Sequence, residues 1–391
     1  MANVLVTDGD QRASLAVVRS LGRAGHTVYV CASRASTLAG ASRYCRNQTA
    51  VPSALNQPEA FVAKIEELVE KWKIDVLLPM TEPALLAVLP LRERFPDVRI
   101  PFASYEQFLR ICDKAAVAEV ANSVGIQVPA QAILSSREDG SGLSEWLAFP
   151  IVLKPSRSVV GEGSERLKVS VVHVDRPALL EDAIAALPDA VFPVLAQERI
   201  AGPGIGVFVL LREGELRAAF AHRRIREKPP SGGVSVYRES AAMDTELLDR
   251  SCELLRRLDW EGVAMVEYKV NEETGVPYIM EINGRFWGSL QLAIDAGVDF
   301  PALLLAEENG PPVTDYQVGV RSRWEWGDVD HLLLRLRRTA VELALPAGSP
   351  GKLGAIRDFL GAFGSGSHNE VLRASDPRPF LRESIDWFRG R

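Results

Sequence analysis

The first hundred residues alternate between short apolar segments and helical patterns, which constrains the fold more than any other feature of the sequence. Residues 3–8 (NVLVTD), 27–33 (TVYVCAS) and 74–80 (IDVLLPM) are apolar runs typical of buried strands. A helix is predicted at 59–73, where apolar residues recur at i, i+3, i+4 and i+7. Because strands that alternate with helices pair in parallel, the pattern predicts an open parallel sheet over residues 1–104.

Three further blocks follow in the sequence. Residues 105–191 mix strands and helices in the manner of a small α+β lid, whereas residues 192–310 hold long β segments. Residues 311–391 form a C-terminal extension to which the sequence assigns no role. A length of 391 residues is too great for one ordinary core, so we expect a multidomain protein of mixed α/β and α+β class.

Composition narrows the class of protein. A formal charge of -6 argues against a general nucleic-acid binder. Four widely spaced cysteines form no CxxC pair, which favours a reducing cytoplasm over a disulfide framework or a zinc site. Charges interrupt every apolar stretch before ~18 residues, so we expect neither a secretory signal nor membrane association. No GxGxxG follows the first strand, which argues against a dinucleotide-binding dehydrogenase.

The most informative polar pattern lies in a predicted hairpin of VAMVEYKV and VPYIMEIN, joined by the turn NEETG. Because strand side chains alternate between faces, Ile279, Glu281 and Asn283 are expected on one face of the second strand. If Glu267 pairs with Glu281, or the register slips by two residues, three oxygen donors converge. Opposed carboxylates destabilise a hairpin unless a positive charge lies between them, and oxygen ligands suit Mg²⁺ or Mn²⁺. Arg285, at the strand end, is placed to hold a phosphoryl oxygen. A solvated hairpin face explains any one of these residues alone, but not the set.

Other segments supply candidate ligand contacts, each with a simpler alternative. Lys154 ends the strand FPIVLK before a loop that contains Gly161 and Gly163, and such a site offers phosphates a point charge and backbone N–H groups. A strand-end lysine that faces water is equally consistent with the pattern. Glu198, in QERI, is a candidate for an adenine or ribose contact, although QERI in isolation favours no function. Arg224, before the loop PPSGG, is a candidate for contact with ATP or an anionic substrate, and a basic strand edge is the alternative.

The loop TDGDQRAS connects the first strand to the first helix, where open α/β sheets bind ligands. Asp10, Arg12 and Ser14 are candidates for binding a substrate carboxylate near the helix N-terminus, and ordinary helix capping is the alternative. Thr81 and Glu82 occupy the equivalent place after a later strand, with the same two interpretations.

Together these residues resemble the ATP-grasp superfamily of carboxylate–amine ligases, and in particular its carbamoyl-phosphate-synthase-like branch. The resemblance covers about residues 1–310, including a Rossmann-like domain that precedes the ATP-grasp fold, and its most specific part is the MEINGR stretch, which matches Glu-x-Asn-x-Arg. By that resemblance, Lys114 and Lys154 contact the ATP phosphates, and the loop around Gly161 and Gly163 covers these phosphates. Glu198 and Ile200 frame the adenosine. The resemblance also implies that Mg²⁺ is held by Glu267, Glu281 and Asn283, and that Arg285 contacts the transferred phosphoryl group.

The resemblance implies a ligase that uses ATP and Mg²⁺ (or Mn²⁺) to activate a small-molecule carboxylate as an acyl phosphate and join it to an amine. Arg285 and Arg224 are then the catalytic candidates. The chain shows no Ser/His/Asp or Cys/His set, in keeping with a reaction that needs no side-chain nucleophile. Carboxylation or phosphorylation at the same site, and a non-catalytic ATP-binding protein, are the alternatives. A homodimer is the default expectation for the assembly.

Overall fold

The structure, a computed structural model, describes residues 1–161, 163, 166–306, 310–343, 345, 348–363 and 366–390. Its N-terminal unit is a four-stranded parallel sheet in the order β3-β2-β1-β4, which confirms the predicted open sheet. The elements of this unit are β1 (Asn3–Val6), α1 (Arg12–Arg23), β2 (Thr27–Ala32), β3 (Cys45–Ala50), α2 (Pro58–Trp72), β4 (Val76–Leu78) and α3 (Glu82–Val88).

A second unit carries an antiparallel sheet in the order β5-β10-β6-β9 and a small hairpin, β7–β8. Its elements are α4 (Tyr105–Cys112), α5 (Lys114–Ser123), β5 (Gln131–Leu134), β6 (Ile151–Pro155), β7 (Val159–Val160), β8 (Leu167–Lys168), β9 (Val172–Val174), α6 (Leu180–Ala185) and β10 (Val194–Glu198). The sheet packs its own apolar core, separate from the main one. Strand β10 follows the boundary predicted at residue 192, yet it pairs with β5 and β6 of this unit.

The stretch EQFLRICDKAAVAEVANSVG (106–125) has a helical pattern throughout its sequence but folds as two helices. Asp113 lies between them with an extended backbone (φ -87°, ψ 102°). Its side chain accepts hydrogen bonds from the backbone N–H groups of Ala115 and Ala116 and so caps α5. The periodic pattern hid the break because an aspartate inside a helix looks like an ordinary surface residue in the sequence.

The third unit is a seven-stranded sheet in the order β15-β14-β11-β12-β13-β16-β17. Its elements are β11 (Gly204–Arg212), β12 (Glu215–Lys228), β13 (Val234–Ser240), α7 (Thr245–Arg257), β14 (Gly262–Val270), β15 (Pro277–Asn283), α8 (Leu290–Ala296), α9 (Phe300–Leu305), β16 (Arg321–Arg323), α10 (Glu325–Arg337), α11 (Lys352–Gly361), β17 (His368–Asn369) and α12 (Arg378–Phe388). The C-terminal extension therefore contributes two strands to the same sheet. Buried apolar residues of this sheet and of the N-terminal unit form one continuous core.

All four cysteines are free, as their spacing predicted. Within the described part of the chain, every helix is too short or too polar to cross a bilayer.

Candidate functional site

The site is built on the β14–β15 hairpin at one edge of the large sheet. Glu267 lies directly opposite Glu281, which is one of the two registers that the sequence left open. On its other side Glu267 is opposite Gly206 of β11, and Gly206 is in turn opposite His222 of β12. Two carboxylates, a glycine and an imidazole therefore follow one another across four strands.

The hairpin departs from strict alternation at one point. A β-bulge follows Glu267, so that Tyr268 pairs with Ile279 and Met280 is the extra residue. Ile279 was predicted to share a face with Glu281, and this is wrong, because the bulge turns Ile279 into the core, where it is 3% exposed. The bulge also presents the Met280 carbonyl to the site, where Lys154 Nζ donates to it over 3.3 Å.

Hydrogen bonds hold the acidic side chains in a continuous network. Arg224 Nη2 lies 2.5 Å from Glu267 Oε2, and Asn283 Nδ2 donates to Glu281 Oε1 over 2.9 Å. Arg285 Nη2 donates to Asn283 Oδ1 over 2.9 Å. Each carboxylate therefore already has a polar partner, and the residues at spacings of two along β15 touch one another as their alternation predicted.

Burial and neighbouring charges shift the pKa values of Glu267 and Glu281 in opposite directions. Burial raises the pKa of Glu267, and the charge of Glu281 adds to this, although Arg224 acts in the opposite direction. Burial also opposes ionisation of Glu281, but Lys114 and the Asn283 hydrogen bond outweigh it and lower the pKa of Glu281. Glu281 is therefore the carboxylate that stays charged most readily, and the one most exposed to cations.

Two lysines reach the site from the lid unit. Lys154 is 7% exposed, and burial, aided by the charge of Lys114, lowers its pKa to about 8. Lys114 Nζ donates to Ser158 Oγ over 3.0 Å. Both lysines therefore lie between the lid sheet and β15, where a bound polyanion would meet them.

One cavity of about 490 Å³ joins these groups. Nine of the residues predicted from the sequence line it together: Lys114, Lys154, Glu198, Ile200, Arg224, Glu267, Glu281, Asn283 and Arg285. Its wall also includes the loop after β12 and the residues just after β15, namely Ser231, Gly232, Gly233, Trp287, Gly288 and Ser289. The loop after Arg224 and the segment after β15 therefore border the same space as the predicted ATP-binding residues.

Gly161 and Gly163 do not line this cavity. They lie at the tip of the β7–β8 hairpin, both with positive φ (83° and 53°), a conformation that glycine adopts without strain. Glu162 and Ser164 of the predicted phosphate loop lie outside the described residues. The proposed role of this loop over the phosphates thus stays a prediction.

Arg224 on β12 reaches Glu267 on β14 across β11, because glycines in β11 leave no side chain in the way. A Cβ atom on Gly204 would lie 2.9 Å from Arg224 Cδ, and one on Gly206 would lie 2.5 Å from the Phe208 ring. The alternating glycines of GIG therefore leave a groove across the sheet. Burial opposes ionisation of Arg224, but Glu267 and Glu227 outweigh it and raise the pKa of Arg224.

The structure separates the other candidates into two groups. Arg12 lines the cavity, whereas Asp10 pairs with Arg34 over 2.6 Å outside it. The Ser14 hydroxyl donates to the Thr7 and Asp8 carbonyls within the N-terminal unit.

At the other strand end, Thr81 Oγ1 accepts from Ala84 N and caps α3. Burial raises the pKa of the next residue, Glu82, even though Arg285 and Lys114 lie near it. Arg226 is held by both oxygens of Asp328, which leaves Arg224 as the arginine of this strand that lines the cavity.

Two cavity residues were not assigned to a site from the sequence. His222 lies two residues before Arg224 on β12, and this spacing is the signal by which strand alternation places both on the site face. Trp287 is 2% exposed and lines the cavity, whereas its neighbour Phe286 is fully buried in the core. Trp287 therefore walls the pocket and Phe286 anchors the segment.

The donor atoms at the hairpin fit a hard divalent cation. Among the described residues, no group of three His, Cys, Asp or Glu side chains is arranged as a metal site. What the hairpin offers is two carboxylates in register and the amide of Asn283, all oxygen donors. Mg²⁺ is bound through few carboxylates when phosphates supply the remaining ligands, so this set suits the ion together with a nucleotide.

Comparisons with known proteins relate this arrangement of a lid sheet, a large sheet and a cavity between them to ATP-grasp proteins. Residues 191–326 match the profile of a family described as "ATP-grasp in the biosynthetic pathway with Ter operon". This part of the chain is thus similar to an ATP-grasp family, and the matched residues include the strands that carry the site.

Comparison with individual proteins supports this assignment. The chain is 25% identical over 267 residues to the N-terminal section of the carbamoyl phosphate synthase large chain of Aquifex aeolicus, covering 62% of this chain and 45% of that protein. It is 28% identical over 215 residues to the D-alanine–D-alanine ligase of Ectopseudomonas mendocina, covering 50% and 63%. The chain thus spans less than two thirds of these relatives. The L-amino acid ligase structure from Bacillus licheniformis has the same fold, with a TM-score of 0.61 and 19% identity over 78% of this chain and 73% of that one.

Proposed function

We propose that the protein is an ATP-dependent ligase that activates a small-molecule carboxylate as an acyl phosphate and joins it to an amine. The observation that carries the proposal is the single cavity in which Lys114, Lys154, Glu281, Asn283 and Arg285 meet. Relatives named as ligases for carboxylates and amines support the reaction class.

The chemistry has two steps. A substrate carboxylate oxygen attacks the γ-phosphorus of ATP, so that a new O–P bond forms as the bond to the β-phosphate oxygen breaks and ADP leaves. The amine nitrogen then attacks the acyl carbon, the C–N bond forms, the C–O bond to phosphate breaks, and the amine loses a proton. Lys154 and Lys114 hold phosphate oxygens, and Arg285 faces the phosphoryl group, so the protein supplies positioning and charge neutralisation.

Mg²⁺, when bound with the nucleotide, neutralises charge on the phosphates. Glu267, Glu281 and Asn283 are the residues that would hold it. The ion pair with Arg224 keeps the Glu267 carboxylate paired and in place.

The proposal is tested by ADP release. The protein is incubated with ATP and Mg²⁺, with pooled small carboxylates and amines added separately and together. Release that needs both pools supports the ligase. Release driven by bicarbonate or by a carboxylate alone indicates the carboxylase or kinase alternative, and ATP binding without any stimulated release indicates a non-catalytic binder.

We expect Glu281→Gln to reduce turnover at least ~10²-fold, because it removes the charge that faces the cations of the site. The thermal unfolding midpoint should stay close to that of the wild type. Glu181→Gln, on an exposed face of α6, serves as the matched control. Near-normal turnover of Glu281→Gln would show that the hairpin does not bind the metal–nucleotide complex.

A cytoplasmic location and a homodimer stay predictions from the sequence. Arg285 and Arg224 stay the proposed catalytic residues, with Glu198 and Ile200 beside the adenosine.

A further inference from the structure

Three side chains in the cavity wall are buried and have no hydrogen-bond partner within the described residues. His222 is 1% exposed and both of its ring nitrogens are unpaired, Trp287 is 2% exposed with an unpaired Nε1, and Ser235 is 7% exposed with an unpaired Oγ. A buried polar group without a partner destabilises the fold, because it has lost its hydrogen bonds to water and gained none in return. Three such groups around one cavity indicate that a ligand satisfies them.

Two of these groups, His222 and Trp287, pack against the same ring. The Phe208 centroid lies 4.7 Å from that of the His222 ring and 4.4 Å from that of the Trp287 ring. Gly288 follows Trp287 in the chain and lies beside Arg12. A Cβ atom on Gly288 would be 3.1 Å from Arg12 Nη2. Because Trp287 and Gly288 are consecutive residues, the side chains of His222, Trp287 and Arg12 lie near one another in one part of the cavity wall, here called the Arg12 end.

Arg12 belongs to a cluster of buried charges that also contains Arg238, Glu370, Glu325 and Glu383. Arg12 and Arg238 both pair with the same oxygen of Glu370, at 2.5 and 2.6 Å, so two guanidinium groups share one carboxylate. The nearby Glu325 accepts from the backbone N–H of Leu372 over 2.8 Å and is not paired with either arginine. An anion in the cavity beside Arg12 would give these two guanidinium groups a further negative partner.

Phosphate oxygens already have cations at the other part of the cavity, where Lys114 and Lys154 lie. At the Arg12 end, Nη1 of Arg12 is held by Glu370, so the guanidinium offers its Nη2 together with the indole N–H of Trp287, a pair of donors that suits a carboxylate. The loop at Ser231, Gly232 and Gly233 lines the same cavity of about 490 Å³, a volume that suits a small molecule.

We propose that Arg12, Trp287 and His222 bind a substrate carboxylate that stays free. It is distinct from the carboxylate that is activated as the acyl phosphate. The substrate is then an amino acid or another small molecule that carries a second carboxylate. This inference rests on the proposed ligase function, since it assigns the second carboxylate to a substrate of that reaction.

The test compares acids with their neutral amides. Ligand-observed NMR measures binding of the protein amino acids, and separately of their α-carboxamides, to the full chain with Mg²⁺ and a non-hydrolysable ATP analogue. We expect at least one free acid to bind ~10-fold or more tightly than its amide. Trp287→Phe, which keeps an aromatic ring and loses the N–H, should weaken that acid ~3- to 10-fold and leave the amide unchanged. Arg12→Lys should weaken it further, because lysine cannot hold Glu370 with one nitrogen and offer the ligand another.

Trp260→Phe is the matched control, because Trp260 is also buried with an unpaired Nε1 but does not line the cavity. It should leave acid binding unchanged. Equal binding of acid and amide, binding of no acid, or saturable binding of inorganic phosphate alone overturns the inference. ADP release measured in parallel separates the two proposals. Release stimulated equally by amides keeps the ligase and sinks the carboxylate subsite, whereas acid-selective binding without release does the reverse.

Discussion

At the scale of single residues, Lys154 should make the nucleotide affinity of the site depend on pH. Its amine is charged below about pH 8 and neutral above it, since burial lowers its pKa to that value. A phosphate ligand binds the charged form, so nucleotide affinity should fall as the pH rises from 7.5 to 9.5, approaching tenfold per unit. Lys154→Arg, which stays charged throughout, should give a flatter profile. The measurement is the dissociation constant of a fluorescent ATP analogue, and a flat wild-type profile would contradict the role of Lys154.

The sequence predicts those site residues whose pattern lies within one short segment of the chain. Glu281, Asn283 and Arg285 follow strand alternation, so their common face is legible from spacing alone. Ile279 was misplaced because a β-bulge arises from pairing with another strand, which the spacing does not contain. His222 and Arg12 were missed or left open because their importance depends on unpaired atoms and distant partners.

At the scale of elements, the glycines of β11 let side chains cross the sheet. A methyl group on Gly204 would press against Arg224 Cδ at 2.9 Å, and the end of a flexible side chain can yield to it. We therefore expect Gly204→Ala to fold with a small loss of stability, about 1 kcal/mol, while turnover falls several-fold as Arg224 leaves Glu267. Steady-state ADP release and thermal unfolding measure the two effects.

Gly361→Ala provides the comparison, because nothing lies within 4 Å of a Cβ atom at the end of α11. That variant should match the wild type in both measurements. If Gly204→Ala retains full turnover, the groove across β11 does not serve the site.

Element boundaries show the same division between local and distant signals. The hairpin of β14 and β15 was predicted correctly because both strands and their turn are adjacent in sequence. The two strands of the C-terminal extension, β16 and β17, were not assigned to the sheet, since their partners lie far away along the chain. The break between α4 and α5 escaped because Asp113 acts as a cap only after the chain turns there.

At the scale of the whole molecule, the C-terminal extension ties the N-terminal unit to the large sheet. Arg19 pairs with Asp376 over 2.9 Å, and Glu370 pairs with both Arg12 and Arg238. Glu370 comes from the segment just after β17, so the extension orients an arginine of the cavity without lining the cavity itself. Its role is thus to fix the position of the N-terminal unit beside the site.

One residue of the extension should make the stability of the whole molecule depend on pH. Glu383 accepts a hydrogen bond from Trp324 Nε1 over 2.8 Å, and burial raises its pKa to about 7. The folded protein therefore favours the protonated form, which stabilises it fully below about pH 4.5, and this stability is lost as the pH rises through 7. Glu383→Gln keeps the neutral shape at every pH, so it should match the wild type near pH 5 and exceed it at pH 8 by on the order of 1–3 kcal/mol. Unfolding midpoints of wild type, Glu383→Gln and Glu181→Gln at both pH values measure this. Equal gains at pH 5 and pH 8 would mean that Glu383 is not the titrating group that couples the extension to the fold.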